Sequence, residues 1–517
     1  MRFGRLLNWV SPLLLTVQLM AVSVSIAAVL GIAGAWAGSI LLSGRRASRV
    51  VAVLFAACML FAVALPLVMH AGAWESTAGK FGWLMLTQTG ARAEGTSRYG
   101  VFSGLVAAGW IHALFGTAIV TLTTWYGVQR TPAAIVQQSR LDHGPLSAWW
   151  RVRLPIAMPW VLLGLLITGL LAASEMTVAD LYGFRTIADE FYLFYAATPT
   201  ISSVLVTCAI PLAAAALILA VAVSAKRKTI TSQFDQESPT HVDEDRYSKM
   251  ATVLAGLLAC VLMICIVAVP IFGLVIKLGH EVTVVGENVQ ASWSPQLAFS
   301  RMFSAPSEFA VEYQWTAMIG LLAGGLSLIF GALLAMVGRS KPRIEPWLDV
   351  LTVVAFVIPG PVVGLVVVRL FQLDVPGFDQ LYQQTLVPLL LALSVRSIPV
   401  AYWILRAAYR GVPDSLLEAS RLDTGFFRRF LVVDRRLLSR SWIAAWLAAG
   451  VVASGDLPVT LPVIPPGVST VGTRLFGLLH SGARYQEAAL SVWYVLAIVV
   501  ISSYFFRQSI GRRYKLE

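Results

Sequence analysis

The stretch Ser139-Arg140-Leu141-Asp142-His143-Gly144 returns 281 residues later as Ser420-Arg421-Leu422-Asp423-Thr424-Gly425. Each copy lies in a charged segment between long apolar stretches. Continued in the same register, the alignment pairs Pro132 with Pro413, Gln137 with Glu418, Val152 with Val433 and Glu175 with Asp456. The chain therefore reads as two homologous membrane halves in one polypeptide, each carrying one polar loop of the same kind.

Composition agrees. Over 517 residues, 57% are hydrophobic and only 13% charged, which leaves no room for a soluble domain of useful size. With a mean hydropathy of +0.75, this describes an all-α polytopic membrane protein. The net charge of +12 does not point to nucleic acid, because Lys and Arg are dispersed over short loops and not gathered on one face. The bias of basic residues toward cytoplasmic loops explains them. Cys58, Cys208, Cys260 and Cys265 all fall within apolar stretches without ligand spacing, so they read as packing residues and no metal or disulfide framework is expected.

A spanning helix needs about 20 apolar residues. Five such stretches lie near 11–42, 49–72, 100–125, 154–175 and 199–225, and six near 250–277, 314–337, 349–371, 384–408, 440–456 and 487–507, about 11 spans in a 5 + 6 pattern. Residues 226–249 form a long polar stretch that reads as a cytoplasmic linker between a first unit, 1–225, and a second, 250–517. The basic loops at 45–49, 130–153, 339–343 and 406–440 and the tail at 507–515 then all fall on the cytoplasmic side. This count leaves Arg2 and Arg5 outside, and the long apolar run from Val10 to Leu42 leaves room for a surface helix or a second short span. A signal peptide is not expected, since no small-residue cleavage site followed by a soluble domain occurs.

The polar loops have a common layout. Pro413-Asp414 and Thr131-Pro132 each open a run of helix formers, the first loop stops at Gly144-Pro145, and aromatic and basic runs (Trp149 to Arg153, Phe426 to Phe430) lead back to the membrane. The order Glu418-Ala419-Ser420, Gly425 and, in the other copy, Leu154-Pro155 resembles the EAA loop of bacterial ABC importer permeases, which forms the coupling helix against the ATPase subunits. Fusion of two such units is similar to the ferric iron and thiamine importer permeases. Val395-Arg396, Ala453-Ser454-Gly455-Asp456-Leu457-Pro458, Pro465-Pro466-Gly467 and Thr473-Arg474-Leu475-Phe476 favour the ferric iron (iron(III)) transport group.

The resemblance implies two tandem type I, MetI-like units and ATPase-coupling roles for Gln137, Ser139, Arg140, Asp142, Gly144, Glu418, Ala419, Ser420, Arg421, Asp423 and Gly425. Its partners would be two ATPase subunits holding ATP and Mg, with no cofactor in this chain, and a periplasmic substrate-binding protein; its place would be the bacterial inner membrane. The loops depart from the family pattern. Gln137-Gln138 stands where Glu-Ala is expected, Arg435-Arg436 stands where Leu-Pro is expected, and both glycines come about one residue late. If the motif glutamate makes a charge contact to an ATPase, only the second loop can make it.

Enzyme chemistry is not encoded. The P-loop pattern is absent, the one Gly-Lys pair, Gly79-Lys80, being followed by Phe81, and no HExxH or G-x-S-x-G constellation occurs. Ionisable residues within spans face an interior or a cavity. Arg396 lies mid-span, and Glu175 and Asp456 end the spans that follow the two loops. These three read either as the lining of the path or its gate, with Arg396 as the partner of the carboxylates, or as structural ion pairs. His112, within a span, reads as a hydrogen-bonded packing residue. Pro359-Gly360-Pro361, Pro270 and Pro399 interrupt spans, as at a gate or a packing kink. Asp180 with Pro465, Pro466 and Gly467 is the expected docking surface for the binding protein.

The expected function is import of a small solute, ferric iron by resemblance, through alternating access driven by separate ATPases. The alternatives are an ion-gradient-driven secondary transporter built from two parallel repeats, which needs carboxylates near the midplane of several spans, and an assembly subunit without transport activity.

Overall fold

A computed structural model describes residues 2–79, 104–228, 247–285, 288–413, 415, 438–481 and 485–510. The elements of the first half are α1 (Arg2–Leu42), α2 (Arg46–Ala64), α3 (Leu67–Ala78), α4 (Gly104–Gln129), α5 (Ala133–Ala148), α6 (Leu154–Ser174), α7 (Thr177–Leu181), α8 (Ile187–Glu190) and α9 (Ile201–Lys228). The second half opens with α10 (Lys249–Met263) and α11 (Val269–Gly279), joined by a wide π turn, then the hairpin β1 (His280–Val285) and β2 (Asn288–Trp293), and α12 (Pro295–Glu308). It continues with α13 (Ala310–Ser340), α14 (Glu345–Val357), α15 (Gly360–Phe371), α16 (Phe378–Gln384), α17 (Val387–Arg410), α18 (Ser439–Gly455), α19 (Leu457–Thr460), α20 (Val471–Ser481) and α21 (Gln486–Ile510).

All eleven expected stretches are helical, but they are not eleven uniform spans. Among the described residues, eight helical stretches are long and apolar enough to cross a bilayer, or nine when the bent pair α14 and α15 is counted as one. That pair turns through 97° at Ile358-Pro359, and α2 stops in the same way at Leu65-Pro66. In both places the residue before proline is extended (ψ 125° at Leu65, 128° at Ile358), because the proline ring excludes it from the helical region. His70 Nε2 donates to Ala62 O (2.8 Å), satisfying a carbonyl at the break. α18, with 17 residues, falls short, and α9 is apolar over Ile201–Leu217 of its length. The long N-terminal run is one continuous helix of 41 residues, and not a surface helix followed by a second span. At about 1.5 Å per residue it is about twice as long as the ~30 Å hydrocarbon core requires.

α9 continues through Lys226, Arg227 and Lys228, and residues 229–246 of the expected linker lie outside the described residues. Cys260 is also corrected: it lies on the exposed side of α10 and not in the core, whereas Cys208 is buried.

The two halves share a plan. α1, α4 and α6 pack together in the first, and α13, α17 and α18 in the second. Small residues let α13 and α18 approach closely: a Cβ on Gly450 would lie 2.7 Å from Gly320 O, and one on Gly324 would lie 2.7 Å from Trp446 O. Thr16 Oγ1 of α1 accepts from the N–H of Ile187 (3.0 Å) at the start of α8, and Thr316 Oγ1 of α13 accepts from Val471 N–H (2.8 Å) at the start of α20. The halves are also intertwined. α9 packs on α14, and reciprocally α21 packs on α2 and α3. α10 and α11, which have no counterpart in the first half, lie against α1, α2 and α3.

Candidate functional site

The first polar loop is built as a bracket. Pro132 precedes α5 with the fixed φ that suits a helix start, and Ser139 is buried with its hydroxyl on Val136 O (2.9 Å). Gln137, Gln138, Asp142 and His143 are exposed, and Leu141 is 87% exposed, an extreme value for a leucine on a helix. Gly144 adopts φ 75°, ψ 163°, which ends the first helical segment and redirects the chain at Pro145, the stop expected from the sequence. The return is anchored by fully buried Trp149 against Trp150 and by Arg153, whose guanidinium donates to Val128 O (3.3 Å) near the end of α4. An open depression of about 440 Å³ lies along this helix, lined by Ala134, Ile135, Gln138, Ser139, Asp142, His143 and Val152. Arg140 is half-buried. In the second loop, Glu418, Ala419, Ser420, Arg421, Asp423 and Gly425 lie outside the described residues.

At the opposite end of the bundle, the two helices that leave the loops stop at carboxylates. α6 ends at Glu175, which accepts from the backbone N–H of Thr177 (2.7 Å) and Val178 (2.9 Å) and from the Thr177 hydroxyl. α18 ends at Asp456, which accepts from Val459 N–H (3.4 Å). Each carboxylate thus caps the short helix that follows, α7 or α19, where exposed N–H groups favour negative charge. A basic side chain from the helix before each loop completes the arrangement. Arg396 of α17 reaches Asp456 (3.1 Å and 3.0 Å), as expected, whereas Glu175 is met by His112 of α4 at 3.8 Å and not by Arg396. His112 also bonds Ala108 O through Nδ1 (2.8 Å), so it packs and faces a carboxylate at once.

The same end holds contacts between the halves that the sequence did not suggest. Asp180 of α7, expected on a docking surface, is paired with His480 of α20 (3.3 Å). Lys277 of α11 and Glu487 of α21 form a fully buried ion pair, with Ser76 Oγ of α3 at 3.4 Å from Glu487. Around them, Val68, Met69 and Ala73 share an apolar core with Leu274, Leu278, Leu475 and Leu479. Pro465, Pro466 and Gly467 form a turn closed by Val468 N–H on Pro465 O (3.2 Å), with Gly467 at φ 81°. Pro466 and Gly467 are exposed at its tip.

Charges tune this face. The bond to Asp180 raises the His480 pKa, against the opposing effect of burial. Burial, followed by the nearby charge of Asp180, lifts the Asp189 carboxyl to about 7. Toward the other end, Arg406 and Arg410 of α17 clamp Glu345 (2.9 Å and 2.8 Å), and Arg406 also holds Asp349 (2.5 Å). The signal for this clamp is an i, i+4 pair of acids on α14 facing an i, i+4 pair of arginines on α17. No group of three or more metal-ligating side chains occurs among the described residues.

Residues 327–514 match the family described as the binding-protein-dependent transport system inner membrane component. The matched segment runs from within α13 to beyond α21 and includes the second polar loop. The helical, multi-pass membrane fold accords with that family. No curated protein matches the chain.

Proposed function

We propose that the chain is the fused permease of an ATP-driven importer, with residues 1–225 as one unit and 250–517 as the other. The observation that carries this reading is the family match over residues 327–514, a segment whose helix order has counterparts in the first half. ATP would be hydrolysed on separate subunits docked on residues 131–153 and 412–436. α5 supplies the first docking surface, an exposed helix with Leu141 outward beside an open depression. Movement imposed on α5 passes directly to α4 and α6, to whose ends its bracket is tied, and so reaches the carboxylate caps and the contacts between halves at the far end.

That far end is where a binding protein would deliver the solute and where the halves would separate. Ferric iron is the substrate the family resemblance points to, with thiamine the nearest alternative; selectivity would reside largely in the binding protein. A secondary transporter is less well supported: Glu175 and Asp456 are occupied as helix caps at the ends of spans.

The test is uptake by proteoliposomes holding this chain, a candidate ATPase and a binding protein, offered labelled ferric iron or thiamine. Leu141→Asp is expected to weaken ATPase association by roughly tenfold or more, the scale of a leucine lost from an interface. Uptake driven by a proton or sodium gradient without any ATPase would overturn the assignment.

A further inference from the structure

We propose that α12 is an interfacial helix whose Phe299 and Phe303 lie in the outer surface of the lipid bilayer. Twelve of its 14 residues fall on three faces at helical spacing. Ala298, Arg301, Met302 and Ala305 turn toward the protein, with Ala305 fully buried. Pro295, Phe299, Phe303 and Pro306 form an exposed apolar stripe, and Gln296, Ser300, Ser304 and Ser307 form an exposed polar one beside it. A helix wholly in water has no use for the first stripe, and one wholly in hydrocarbon has none for the second. A boundary satisfies both.

The surroundings place that boundary at α12. It lies between the end of the α10–α11 span at Gly279 and the start of the α13 span at Ala310. Phe299 and Phe303, 61% and 66% exposed, stack on each other with ring centroids 6.4 Å apart. The flanking spans likewise expose large apolar side chains, Phe272 on α11 and Val311 on α13. The polar anchors are those of a membrane edge. Arg301 donates to Leu278 O (2.8 Å) and His280 O (2.9 Å) and lies over the Tyr485 ring at 3.8 Å. Trp293 donates to Ile276 O (2.9 Å), and Trp493 to Met302 O (2.8 Å). The bonds of Arg301 and Met302 fix the rotation of α12, so the apolar stripe is held outward.

The experiment uses the full chain with its four cysteines replaced, reconstituted in phosphatidylcholine and phosphatidylglycerol vesicles. A nitroxide is attached in turn at Phe299→Cys, Phe303→Cys, Ser300→Cys and Ser304→Cys, and its relaxation by oxygen, which concentrates in lipid, is compared with that by a water-soluble nickel chelate. The oxygen-to-nickel ratio is expected to be several-fold higher at the two phenylalanine positions than at the two serine positions. Equal ratios at all four, with free access of nickel, would place the helix in water and overturn the proposal. Labels at 299 and 303 that are immobilised and shielded from both reagents would overturn it in favour of a protein partner, such as a second copy of the chain.

Discussion

Arg396 and Asp456 are each 8% exposed, and they hold a charge pair where burial leaves little water to replace either partner. Arg396→Ala is therefore expected to destabilise the protein by about 3–5 kcal/mol, the cost of a buried charge left alone, whereas Arg396→Met with Asp456→Leu should recover most of the loss. Thermal unfolding in detergent, arranged as a double-mutant cycle, reads the difference, and equal losses in single and double variants would deny the coupling. The pair His480–Asp180, outside the spans, behaves differently, because His480 titrates. Its raised pKa makes its contribution full below about 6.5, its unfolded value, and lost as pH rises through the folded value. Asp189, lifted from 3.8 to about 7, adds in the same direction, since its ionisation is disfavoured in the folded state. Stability should fall from about pH 4 to about 7 through Asp189, and further above about 6.5 through His480, and His480→Gln with Asp189→Asn should flatten that profile; an unchanged slope would show that neither group titrates as argued. Arg396, Glu175 and Asp456 were legible in the sequence because charge is conspicuous in or at the end of an apolar run. Lys277 and Glu487 were not, since each stands at the edge of a span, where a long charged side chain ordinarily reaches water.

Elements obey the same logic at longer range. The two proline breaks were half visible: Pro359-Gly360-Pro361 is a plain interruption, but Pro66 hides in a run apolar enough to read as one span from 49 to 72. What decides both is local, the exclusion of Leu65 and Ile358 from helical ψ by the ring that follows. The stop at Gly144-Pro145 could be read for that reason, whereas the outward Leu141 could not, because hydropathy treats every leucine as a core residue. The crossing of α13 and α18 was equally silent, since Gly320, Gly324 and Gly450 gain meaning only when the two backbones meet. Gly450→Leu is expected to force them apart, costing about 1–3 kcal/mol as an overpacked contact, while Gly477→Ala, at a site with open space around it, should change little. Melting followed by size-exclusion elution separates the two, and similar melting temperatures would mean the crossing can relax.

At the scale of the whole molecule, the halves are held by two different kinds of contact. α10 and α11 lie along α1, α2 and α3 over much of their length, and α9 and α21 are exchanged between partners. Such apolar surfaces can slide or rock without exposing unpaired groups. The end away from α5 is instead closed by directional contacts, His480 on Asp180 and Ser76 on Glu487, together with the packing of Gly72 against Leu475. A transporter that opens on that side must break the second kind and keep the first. This argues for a distinct measurement: Asp180→Cys with His480→Cys in a cysteine-free background, joined by a short reversible methanethiosulfonate linker across a pair that sits 3.3 Å apart in the native chain. Joined, the protein should on the proposed function still bind ATPase subunits, because α5 is at the far end, but uptake should stop and return on reduction. Uptake that continues with the linker in place would mean that the halves do not part along α7 and α20, and that the path opens elsewhere, with the bent pair α14 and α15 the next place to look.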